Sequence, residues 1–115
     1  MKILIIVNES PWGSSLGMTA LRLTRALVAE KARVGAVFFR EDGVYQSRAG
    51  RAVDPGTVCL AGAWRSLAEQ AGFPLLVCSA AAQRRLEGPP QDGFREAGLP
   101  EVLEVMAACD RVVTF

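Results

Sequence analysis

Lys2 to Asn8 reads KILIIVN, five aliphatic side chains in a row, three of them isoleucine. A strand with one face in water alternates apolar and polar residues. An unbroken run is the pattern of a strand buried on both faces, as in a parallel sheet covered by helices. Three later stretches extend this reading: Arg33–Phe39 (RVGAVFF), Phe73–Cys78 (FPLLVC) and Asp110–Phe115 (DRVVTF).

The segments between them carry helical spacing. From roughly Leu16 to Lys31, Ala20, Leu23, Leu27 and Val28 recur on one face, and Ser14 or Ser15 can cap the start. From Thr57 to Ala71, Leu60, Trp64, Leu67 and Ala71 form a second stripe, stopped by Gly72. Ser79–Leu86 reads as a short helix, and Pro100 opens another that runs to about Ala108. Glu9–Gly17 and Glu87–Gly98 read as loops, the latter with a helical turn around Phe94. Arg40–Gly56 is a long glycine-bearing loop with a short turn of helix near Tyr45; loops of that length are often functional.

Alternating strands and helices predict a three-layer α/β/α domain over residues 1–115. Its sheet is mostly parallel, with about four to five strands, and is flavodoxin/Rossmann-like. Ligands and reactive groups in such sheets collect at the carboxyl ends of the strands. That end is built here from Asn8–Gly17, Arg40–Tyr45 and Cys78–Ser79.

Composition narrows the chemistry. Thirteen basic and twelve acidic residues leave a formal net charge of +1, so no overall field draws nucleic acid or a membrane. Met1–Asn8 is too short for a signal-peptide core and no apolar run reaches membrane-spanning length, which points to the cytosol. Half of the residues are hydrophobic. Two readings of that richness stand side by side: alanine and valine in regular elements, or apolar surface buried against other subunits.

The chain has no histidine, which excludes a Ser-His-Asp triad, a Cys-His dyad and histidine metal sites within it. Its three cysteines, Cys59, Cys78 and Cys109, form no C-x-x-C pair, and a reducing compartment suits them. Cys78 ends the third strand and opens a helix, where a thiolate is favoured by the helix dipole. By position alone it is either a nucleophile or a buried structural cysteine. Cys59 and Cys109 read as packing residues. Arg84 and Arg85 lie about 9–10 Å along the helix from Cys78 and read as a solvated pair or a docking contact. Tyr45 and Trp12 are loop aromatics for a pocket or an interface. The Gly13–Gly17 loop could cradle a phosphate but has neither G-x-G-x-x-G nor G-K-[ST].

With these residues in place, the chain resembles the DsrE/TusD family of sulfur-relay proteins. The likeness runs through Val37–Tyr45 (VFFREDGVY), Ala63-Trp64, Val77–Arg85 (VCSAAAQRR) and Gly93–Phe115, which ends CDRVVTF. It implies a DsrEFH-like α/β subunit that holds sulfur as a persulfide on Cys78, with Tyr45, Ser79 and Arg84 as pocket or partner contacts. It implies no cofactor and no metal. The implied partners are DsrE/DsrF/DsrH- or TusB/TusC-like subunits in a hetero-oligomer, an upstream persulfide donor and a TusE/DsrC-like carrier, with no direct nucleic-acid contact. A homo-oligomer is the other assembly open to it. The implied pathways are tRNA 2-thiouridine formation and cytoplasmic sulfur oxidation. The segment after Arg85, Leu86–Asp92 (LEGPPQD), reads as shorter than in TusD-like members. Two other readings remain: a non-catalytic assembly subunit of the same complex, and a flavodoxin-like binder of a small phosphorylated ligand.

Overall fold

The computed structural model describes residues 1–12, 15–48 and 60–115. Five strands form one fully parallel sheet: β1 (Lys2–Val7), β2 (Arg33–Phe39), β3 (Leu75–Cys78), β4 (Phe94–Ala97) and β5 (Arg111–Thr114), in the order β4-β3-β2-β1-β5. Among the described residues four α-helices join them: α1 (Leu16–Ala29), α2 (Leu60–Ala71), α3 (Ser79–Arg85) and α4 (Leu99–Ala108). A 3-10 helix, Glu41–Ser47, follows β2 and realises the helical turn expected near Tyr45.

Strand order decides where the helices go. From β1 to β4 the chain steps in one direction, so right-handed crossovers place α1, α2 and α3 on one face. It then jumps back to pair β5 with β1, and α4 covers the other face alone. The alternation of β1 matches this arrangement. Ile3, Ile5 and Val7 enter the larger core with Leu21, Trp64 and Ala81, whereas Leu4 and Ile6 enter the smaller one with Val102 of α4. The first core is covered by three helices and the second by one, which leaves Leu99, Leu103 and Val112 exposed.

Several local expectations change. Phe94 is not in a helical turn: it starts β4, and its buried ring meets Phe39 in the larger core. Four residues between a glycine-proline loop and a helix carry no periodicity, so only the pairing with β3 reveals them as a strand. In α1 Gly17, Ala20, Leu21 and Thr24 are buried; of the expected stripe Ala20 is buried, Leu27 and Val28 pack half-buried against the larger core, and Leu23 is half-buried. Thr24 can be buried because its hydroxyl donates to the Ala20 carbonyl at 2.7 Å. In α2, Leu60, Trp64 and Leu67 are buried as read, but Ala68 replaces Ala71. Ser15 stands at the N-cap of α1 without a side-chain capping bond. Ser14, Gly13, Cys59 and the first residues of the helix expected from Thr57 lie outside the described residues.

Candidate functional site

β3 ends at Cys78, which is paired in register with Ala97 at the end of β4. From these neighbouring ends the chain leaves in opposite directions, α3 to the larger core and α4 to the smaller. That divergence is a topological switch point, where parallel sheets open a crevice. Cys78 is half-buried, touches both cores and is the N-cap residue of α3. Its side chain makes no capping hydrogen bond, so the thiol is not committed to the helix.

Ser79 is the first residue of α3 and is half-buried; Arg84, near the other end of the helix, is exposed. Arg85, not Arg84, turns back toward the carboxyl end of the sheet. Its guanidinium donates to Asp42 at 3.0 Å and to Glu41 at 3.1 Å. The Asp42 hydrogen bond raises the guanidinium pKa above its usual value, against the opposing effect of desolvation. From the 3-10 helix side, Arg48 donates to the carbonyls of Glu87 and Pro89 at 3.2 and 3.1 Å. The Gln91 N–H donates to the Ser47 carbonyl at 3.0 Å. Two crossed arginines therefore stitch the short segment after α3 to the 3-10 helix.

This seam backs an open cleft of about 580 Å³ walled by Ser10, Trp12, Asp42, Tyr45, Arg48 and Arg85 among others. The Tyr45 and Trp12 rings meet with centroids 5.6 Å apart. Of the residues singled out from sequence, Tyr45, Trp12 and Arg85 line this cleft; Cys78, Ser79 and Arg84 do not. Cys78 is linked to it through α3, which packs along the 3-10 helix.

Sequence reading missed the residues that shape the region. Gly43 sits over the end of β1, where a Cβ would run into the Val7 carbonyl. Its Asp42-Gly43 dipeptide was a turn signal that could have pointed there. Gln46 is fully buried between Trp64 and the loop after β1, which nothing in its local sequence announces.

Cys109 lies at the amino ends of the strands, just before β5. It packs in the smaller core beside Gly35, and burial pushes its thiol pKa up, against the charge of Lys2. Among the described residues Cys78 and Cys109 are both free thiols.

The DsrE/DsrF-like family model matches residues 1–115, the whole chain. The chain belongs to the DsrE/DsrF-like family. Family relatives agree in full-length match: a protein named Sulfurtransferase TusD from Cronobacter sakazakii is 32% identical over 128 aligned residues, covering all of both chains. A protein of the same name from Salmonella dublin is 34% identical over the same span. The fold is that of the crystal structure of ychN protein from E. coli, matched with a TM-score of 0.85 over 100% of this chain and 99% of that one, at 24% identity. No helix among the described residues is long and apolar enough to cross a membrane.

Proposed function

We propose that this chain is a sulfurtransferase subunit of a sulfur relay, acting as one domain in the cytoplasm and carrying sulfur as a persulfide on Cys78. The observation that carries the reading is the place of Cys78: a half-exposed, uncommitted thiol at the switch point of the sheet, in a chain that matches sulfurtransferases over its full length. The transfer is an exchange at sulfur. The Cys78 thiolate attacks the outer sulfur of a donor persulfide. A new S–S bond forms on Cys78, the donor's S–S bond breaks, and the donor leaves as a thiolate. A carrier thiolate of the TusE/DsrC type then attacks the outer sulfur on Cys78, and Cys78 leaves as the thiolate it began as. No net oxidation occurs, and no imidazole is required. The first-turn N–H groups of α3, which lack partners inside the helix, support an anion next to Cys78.

Ser79 follows Cys78 directly, Tyr45 lines the cleft to which α3 links Cys78, and the arginine that reaches that cleft from α3 is Arg85, with Arg84 left on the surface for a partner. Exposed Leu99, Leu103 and Val112 over the thinly covered face favour assembly with related TusB/TusC- or DsrF/DsrH-like subunits. The TusD names of the relatives favour tRNA 2-thiouridine synthesis over sulfur oxidation. The test is incubation with inorganic polysulfide followed by intact-mass measurement. One added sulfur atom, removable by a thiol, is expected on the wild type and not on Cys78→Ser. Equal uptake by both proteins would refute the assignment.

A further inference from the structure

We infer that Gln46 is a positioning residue: its buried amide sets the loop Glu9–Trp12, and with it the Trp12–Tyr45 wall of the cleft, for docking of the carrier that takes sulfur from Cys78. The inference rests on the sulfur-relay reading and adds a residue that reading does not use.

Gln46 has no exposed surface. Its Oε1 accepts the Trp64 indole N–H at 2.8 Å, and its Nε2 donates to the Glu9 carbonyl at 2.9 Å. An indole can only donate and a carbonyl can only accept, so the partners themselves fix which end of the amide is which. Room for the amide comes from Gly17 at the start of α1: a Cβ there would stand 2.6 Å from Nε2. One side chain thus joins the 3-10 helix, α1, α2 and the loop after β1.

The two bonds do different work. The Trp64 bond satisfies a buried donor that would be costly to leave unpaired. Glu9 is only half-buried, at the surface end of its loop, where water is the ordinary partner of a carbonyl. That second bond satisfies the buried Nε2 donor of Gln46 and at the same time holds the loop. Three residues beyond Glu9 stands Trp12, more than a third exposed and in ring contact with Tyr45, the residue just before Gln46. The tether and the aromatic contact therefore hold the same loop to the same helix from inside and outside. Concave sites framed by Trp, Tyr and Arg are where protein partners find most of their binding energy, provided the wall is already in place.

The test uses the Trp64→Phe protein, in which Trp12 is the one remaining tryptophan and the buried indole donor is gone. Adding Gln46→Leu removes the tether without orphaning a donor, and Gln46→Met repeats the change with a side chain closer in shape. Both proteins are loaded with inorganic polysulfide and then offered a reduced TusE-type carrier. Acrylamide quenching of Trp12 should rise at least about twofold when the tether is lost. The carrier concentration for half-maximal transfer should rise about fivefold. The denaturation midpoint should not fall, and polysulfide loading of Cys78 and the transfer rate at saturating carrier should stay the same. A general structural defect would lower the midpoint and the loading together. Unchanged quenching, or unchanged half-saturation despite greater quenching, overturns the inference. If the wild-type protein takes up no sulfur at Cys78, the relay reading fails and takes the docking role with it, and the quenching comparison then decides the tether alone.

Discussion

Cys78 and Cys109 stand at opposite ends of one parallel sheet, and little else about them is alike. Cys78 closes β3 where neighbouring connections diverge, half-buried and in touch with both cores. Cys109 sits where the chain enters β5, pressed between Gly35 and Lys2. There Asp110 is bound twice by Lys2, its N–H to the Lys2 carbonyl at 2.7 Å and its carboxylate from the Lys2 N–H at 2.8 Å. Two cysteines of similar exposure are separated by what surrounds them: diverging connections at the carboxyl end, a clamp at the amino end. In a parallel sheet the ends are chemically different places, and a thiol inherits its role from the end it occupies.

The glycines at the two ends sharpen this contrast. Gly43, at the carboxyl end, lies against the backbone carbonyl of Val7, which cannot swing aside. Gly43→Ala should therefore destabilise the protein by about 3 kcal/mol, the upper end of ordinary overpacking costs, read as a shift in urea midpoint. Gly35→Ala at the amino end places its Cβ 2.7 Å from the Cys109 sulfur, a side chain that can be removed. Its cost should be about 1–2 kcal/mol, and most of it should vanish in a Cys109→Ala background. An additive double mutant would break the account of the clamp.

The smallest effect is electrostatic. Burial raises the Cys109 pKa, so the folded protein keeps that proton to higher pH than the unfolded chain does. The unfolded chain then binds fewer protons than the native state in that range, and stability falls as pH rises. The thiol's contribution is complete below the unfolded value of about 8.5 and is lost as pH climbs through the folded one. Cys109→Ala should flatten the alkaline decline of the urea midpoint slightly; an identical decline in both proteins would contradict the burial of the thiol.

How much of this was legible before the structure follows from the kind of signal each residue leaves. KILIIVN could only be a doubly covered strand, and Cys78 ends a run of the same kind, so the sheet and the place of the thiol were readable. β4 was not, because four residues with Arg95 and Glu96 turned outward have no pattern of their own. Arg84 was singled out as a contact where Arg85 makes it, because a side chain's turn back toward Asp42 depends on a helix that sequence places but does not aim. Gln46 was invisible for a related reason, and the turn signal at Asp42-Gly43 could not show what Gly43 meets: their partners, Trp64, Glu9 and Val7, come from segments brought together only by the parallel crossovers. The thin cover over the second face was half legible, as an excess of apolar residues without an address.

The central claim is that the two ends of the sheet give their cysteines different chemistry, and one molecule can be made to answer it. The wild-type protein is exposed to a limiting amount of inorganic polysulfide, digested without reductant, and the added sulfur is quantified on the peptides of Cys78, Cys109 and Cys59. Sulfur is expected on Cys78 at least about tenfold over either of the others. Sulfur spread evenly over the three, or concentrated on Cys109 or Cys59, would contradict it.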